Sequence, residues 1–199
     1  MVDIQPILPV NSTRVKQYRE LSKVDTIVVH AIDAINWSAE KLNALCTGYP
    51  SGILASTRNE PTCSYHDYIR ANSEVIHMVD YNIKTWHVGR HNKRSIGVAL
   101  EYQPSDDVLL PLGQLEALER HLYDLCLSLQ IKPSRILGHR ELDTTGYKMV
   151  DGEKVLRKTC PGLLVNMVDL RSNVHIAIMD KFRFSNMTLY NTIQRSVTI

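Results

Sequence analysis

The 199-residue chain has few cysteines, four in all at 46, 63, 126 and 160, and no C-x-x-C pair. That count is too sparse for a disulfide framework, so any thiol that does chemistry must be identified one by one. No apolar run approaches the roughly 18 residues that a membrane-spanning helix needs. The opening Met1-Val-Asp-Ile-Gln-Pro carries no basic segment feeding an apolar one, and the expectation is cytosolic synthesis without an export signal. Charge of one sign is scarce too. Lys+Arg 23 against Asp+Glu 21 leaves a formal +2, which is too little to call for a nucleic-acid partner. There is no internal repeat, no low-complexity tract and no Gly-rich phosphate loop, which removes solenoids and the common nucleotide-binding folds. What remains is 44% hydrophobic and 22% charged, an ordinary composition for one globular domain.

Apolar patterning supplies the elements. Thr26-Ile-Val-Val-His30 is a short β-branched run, read as a buried strand with His30 at its end. Residues 38–47 read as a short helix capped by Ser38. Tyr65–Ile69 and Glu74–Val79 read as a hairpin, and Ser95–Tyr102 as a central strand. Leucines at 112, 115, 118, 122, 125 and 129 step by three and four, which predicts a helix of five turns. Pro133 precedes a short strand, 135–138, that delivers His139. Asp151-Gly152 lies between two short runs and predicts a protruding 148–155 hairpin. A helix is predicted from Pro161-Gly162 to about Leu170, while 175–199 shows no clean period. Strands, helices and hairpins together indicate an α/β fold with a mixed central β-sheet flanked by helices.

Chemistry centres on His30, His139 and Cys160. Two imidazoles and a thiolate would meet the donor count of a catalytic zinc site, which uses three protein ligands and keeps a fourth position for water. Singly, each has a plainer reading, since a strand-end histidine is more often satisfied by a carbonyl or solvent. Cys160 also lies ahead of the predicted helix, where a thiolate is favoured for nucleophilic attack as well as for metal binding. On spacing alone Lys158 is a solvated member of a basic run, and Trp86 is as readily a packing residue.

Five ordered segments resemble the zinc-dependent N-acetylmuramoyl-L-alanine amidases of type 2, the group that includes phage endolysins and peptidoglycan recognition proteins. They are TIVVH (26–30), SYHDYI (64–69), WHVGRHNKRSIGVAL (86–100), ILGHREL (136–142) and RKTCPG (157–162). The resemblance implies the amidase type 2 fold and one zinc per chain on His30, His139 and Cys160. It also implies catalytic roles for Tyr65 and Lys158, and cleavage of the amide between N-acetylmuramic acid and L-alanine. Trp86, His87, His91 and Asn92 are expected to bind the substrate, peptidoglycan or a muropeptide. Where some relatives carry a catalytic glutamate this chain has Ala99, so Glu101, on the same strand face, is read as an edge-facing or salt-bridged carboxylate. The implied layout is an N-terminal extension (1–23), a catalytic domain (24–172) and a C-terminal extension (173–199). A monomer is expected, without membrane insertion, acting on the cell wall if it is a phage lysin released by a holin. Two other readings stand beside this one: a peptidoglycan-binding protein without catalysis, and a thiol hydrolase with Cys160 as nucleophile and His139 as base.

Overall fold

A computed structural model describes residues 18–38, 42, 65–104, 108–142, 147–156 and 159–196, with side chains described up to Arg183 and for part of the 147–156 segment. Five strands form one mixed sheet: β1 (Thr26–Ala31), β2 (Asp67–Ile69), β3 (Val75–His77), β4 (Ser95–Leu100) and β5 (Ile136–Gly138), in the order β3-β2-β4-β1-β5. β1 runs parallel to both β4 and β5, β2 is parallel to β4, and only β3 is antiparallel to its neighbour. Helix α1 (Leu112–Ser128) and helix α2 (Met167–Ser196) complete the frame, and β6 (Tyr147–Val150) with β7 (Glu153–Leu156) forms a separate hairpin. The 38–47 helix lies mostly outside the described residues.

Strand alternation divides the side chains of the sheet between two layers. Ile27 and Val29 of β1, with Ile96, Val98 and Leu100 of β4, face one side and pack on Leu118, Leu122 and Leu125 of α1 and Leu170 and Val174 of α2. His30 alternates to the other side, where it stands in register with Ala99, which in turn lies beside Tyr68 of β2. Tyr68, Ile76, Met78 and Ile83 form a smaller apolar cluster there. The leucine ladder of α1 packs as its spacing predicts except at its start: Leu112 is 70% exposed, standing off the sheet in the first turn after Pro111. Gln114 on the same helix is fully buried and donates from Nε2 to the carbonyls of Ile69 and Glu101, tying α1 to two strands.

Asp67 is buried on the helix side of β2. Its carboxylate meets His77 Nδ1 at 2.7 Å, His121 Nε2 at 2.9 Å and the Tyr81 hydroxyl at 3.1 Å. Burial alone would raise its pKa, but the two imidazoles override that and hold it below the usual carboxylate value. The group pins α1 and β3 to β2.

The second long helix differs from the sequence expectation. It starts at Met167, not at Pro161, and continues through the 175–196 stretch to Ser196, crossing residue 172 without a break. Residues 161–165 turn instead, with Gly162 at φ +118°, outside the helical region. Asn166 is the true N-cap: its Oδ1 accepts from the amides of Val168 (3.0 Å) and Asp169 (3.2 Å). The 148–155 hairpin forms as expected, with Asp151 and Gly152 both at positive φ, the geometry of a type I′ turn.

Candidate metal centre

Parallel pairing of β1 with β5 creates the site. Val29 is opposite Gly138, so the residues that follow, His30 and His139, leave the same edge side by side with ring centroids 4.8 Å apart. Ligand sites in open sheets gather at the carboxyl ends of parallel strands for this reason. Cys160 reaches the same place from a loop. Gly138 lets that loop approach, since a Cβ there would come within 3.0 Å of Pro161 Cδ. The Arg140 amide bonds the Cys160 carbonyl at 2.9 Å, and its guanidinium binds the carbonyls of Gly162 and Val165. Glu141 accepts from the Gly138 amide at 2.7 Å and pairs with Arg171 of α2. The sequence reading does not single out Arg140 and Glu141, although the charges directly after His139 are the available signal.

The donor atoms of His30, His139 and Cys160 all lie within 4.8 Å of one another, the one such group among the described residues. His30 Nδ1 is 3.7 Å from Cys160 Sγ. Zinc with bonds of about 2.0 Å to nitrogen and 2.3 Å to sulfur at tetrahedral angles would hold the two about 3.5 Å apart. The His30–Cys160 pair therefore fits zinc in distance, and the set of three fits it in donor type. The Ala31 amide donates to Cys160 Sγ at 3.3 Å, a contact that suits a thiolate. Cys126, by contrast, is buried on the inner face of α1 with its thiol pushed up to about 12 by desolvation, which leaves it unreactive. Cys46, Cys63 and Lys158 lie outside the described residues.

Tyr65 is half-buried, its ring centroid 5.1 Å from that of His30. His66 turns into the protein: Nδ1 accepts from the Gly97 amide (3.0 Å) and Nε2 meets the Ile83 carbonyl (2.9 Å). Burial, helped by the nearby Arg19 guanidinium, lowers its pKa to about 3. Arg19, from the segment expected to be an extension, also binds the carbonyls of Tyr81, Asn92 and Ser95.

The four residues expected to bind substrate are placed differently from one another. Trp86 is half-buried with the Lys84 ammonium 3.5 Å from its ring centroid, and His91 is also half-buried. Asn92 is 3% exposed, and its Oδ1 accepts from the amides of His87 and Val88. His87 is 8% exposed and lies behind His30, with Nδ1 3.0 Å from His30 Nε2. Burial, and then the His30 charge, hold its pKa well below the ordinary value, so it is neutral at neutral pH. Neither Asn92 nor His87 therefore presents its side chain at the surface, where substrate contacts were expected.

Glu101 is buried and taken up structurally. Oε1 accepts from the Trp37 amide at 2.8 Å, Oε2 from the Ala71 amide at 3.0 Å, and Arg70 Nε stands 3.6 Å away. That environment matches a salt-bridged carboxylate.

The sequence profile of the N-acetylmuramoyl-L-alanine amidase family matches residues 20–163. A search among curated proteins gives no significant match. Solved structures do resemble the chain. The endolysin amidase LysCS from Clostridium intestinale is 17% identical, with a TM-score of 0.61 over 82% of this chain and 91% of that one. A selenomethionine derivative of AmpD is 21% identical, at TM-score 0.58 over 85% and 98%. The amidase AmiD from E. coli, solved with the substrate anhydro-N-acetylmuramic acid-L-Ala-D-γ-Glu-L-Lys, is 19% identical, at TM-score 0.55 over 81% and 61%. With this mixed sheet and a profile match across most of its length, the chain belongs to the N-acetylmuramoyl-L-alanine amidase family.

Proposed function

We propose that the protein hydrolyses the amide between N-acetylmuramic acid and L-alanine in peptidoglycan or muropeptides, with one zinc ion held by His30, His139 and Cys160. The observation that carries this reading is the convergence of those three donors within 4.8 Å at the ends of β1 and β5 in a chain of this family. When bound, zinc supplies a Lewis acid and makes water nucleophilic at neutral pH. His30 and His139 act as neutral donors, and the Ala31 amide steadies the sulfur. Attack on the amide carbonyl builds negative charge on oxygen. Tyr65, beside His30, would donate its hydroxyl proton in a hydrogen bond to that oxygen, and the Lys158 ammonium would oppose the same charge, each worth on the order of 3 kcal/mol. Trp86 and His91 supply partly exposed aromatic surface for the glycopeptide. Among the described residues no helix is long and apolar enough to cross a membrane.

Digestion of purified peptidoglycan tests the reaction: new L-alanine amino termini are expected, without new reducing sugars. Metal analysis tests the centre. One zinc per chain is expected, lost in Cys160→Ala and His139→Ala while the fold persists, because the leucine-faced core does not include the ligands. Full activity in a chelator-treated, zinc-free protein would overturn the metal reading and favour Cys160 as a nucleophile.

A further inference from the structure

His30 has two ring nitrogens, and which of them carries the proton decides whether Nδ1 offers a lone pair. The contacts behind it settle the direction. Ser95 Oγ lies 2.9 Å from the His91 carbonyl oxygen, which can only accept, so the hydroxyl proton points there. Ser95 Oγ is then the acceptor in its 3.1 Å contact with His87 Nε2, which must be protonated. With Nε2 donating to Ser95, the 3.0 Å contact of Nδ1 with another ring nitrogen calls for Nδ1 to accept. His30 Nε2, 3.0 Å away, therefore carries the proton and donates it, leaving the Nδ1 lone pair directed at the side where Cys160 Sγ stands at 3.7 Å.

We infer that His87 and Ser95 form a directional hydrogen-bond chain, anchored on the His91 carbonyl, that fixes the tautomer and ring orientation of His30. His87 is on this account a positioning residue, acting through His30 and not on substrate. The inference rests on the metal reading for its purpose, though not for its geometry.

The surroundings of His87 are built for the task. Its ring lies on Gly97 of β4, where any Cβ would come within 2.9 Å of Cγ, so glycine is what leaves room for an imidazole beneath the ligand. The Asn92 carboxamide holds the His87 and Val88 amides at 3.1 and 2.7 Å and so sets the backbone from which the ring projects. Ligand histidines ordinarily rest their second nitrogen on a carboxylate or carbonyl. Here an imidazole takes that place, and it needs its own partner to define which nitrogen accepts, which is what Ser95 provides.

Nitrogen-15 NMR of the metal-free wild-type protein reads the chain without any variant. The expected result is a proton on His30 Nε2, a lone-pair signature on His87 Nδ1, and a through-bond coupling between those two nitrogens. A proton on His87 Nδ1 overturns the inference. Zinc affinity, measured by competition with a chromophoric chelator, supplies the second arm. His87→Phe, which keeps the ring volume but accepts no hydrogen bond, should weaken zinc by roughly 10- to 100-fold. His87→Gln, whose side-chain oxygen can accept from His30, should restore most of that loss, an outcome that packing alone does not produce. Unchanged affinity in His87→Phe, or equal losses in the two variants, also overturns it. If the wild-type protein binds no zinc the metal reading fails by itself, and the NMR result alone decides the chain.

Discussion

His66 should make the fold acid-sensitive well above the range where carboxylates titrate. Its pKa falls from about 6.5 to about 3 on folding, because a fully buried ring bonded at both nitrogens is costly to charge. The unfolded chain therefore binds a proton below pH 6.5 that the native protein refuses, and stability is lost as pH falls from there toward 3. Each unit costs about 1.4 kcal/mol per proton, so at pH 4.5 the loss from His66 alone is about 2.7 kcal/mol. The perturbation is His66→Gln, which removes the titration while keeping one donor and one acceptor for the Ile83 carbonyl and the Gly97 amide. Urea unfolding of metal-free wild type and variant at pH 7.5, 6.0 and 4.5 is the assay. The variant should start less stable but lose about 2.7 kcal/mol less than wild type over that interval. His87, also held down chiefly by burial, contributes to both proteins and largely cancels in the difference. Parallel losses in the two proteins would refute the reasoning.

Tyr65→Phe and Lys158→Ala should each lower kcat by roughly 10²–10³ with zinc content unchanged, since each removes stabilisation of developing charge only; steady-state kinetics with metal analysis checks both. Glu101→Gln should cost about 1–3 kcal/mol in thermal or urea unfolding, because an amide nitrogen would face the Trp37 or Ala71 N–H, while zinc content stays at one per chain. Replacing Met149–Val155 by a Gly/Ser link should preserve folding and zinc, as those strands pair only with each other among the described residues. Turnover of polymeric peptidoglycan should then fall more than turnover of a short muropeptide; equal losses, or none, would show an ornament without a part in substrate binding.

The parts legible in sequence were those whose burial is total. β4 is buried at all six positions and reads as an unbroken apolar run, and the α1 ladder repeats at helical spacing because it lies on that sheet. His30 and His139 were legible as residues that end apolar strands. The start of α2 was not, because Pro161-Gly162 resembles a helix start, whereas here it belongs to the turn that carries Cys160. The real signal was Asn166 three residues before Asp169, a capping pattern hidden behind the stronger one. His87 looked like a loop residue free to meet substrate. Its burial depends on Gly97, ten residues on and on another element, and no local pattern reports a hollow formed by two distant segments.

The pairing of β1 with β5 and the Arg140 clamp on the Cys160 loop have one more consequence. Donors at positions 30, 139 and 160 meet only after the sheet has closed and the loop has been fastened, so an ion that takes all three reports the finished architecture. Bound metal would then deepen the stability of a fold that already stands without it. At a free concentration one thousand times its dissociation constant, such an ion would add about 4 kcal/mol to unfolding, comparable to what a small domain possesses in total. Its scarcity would be felt most at Cys160, the donor held in a turn, whereas His30 lies within β1 and His139 opens the short helix His139–Leu142.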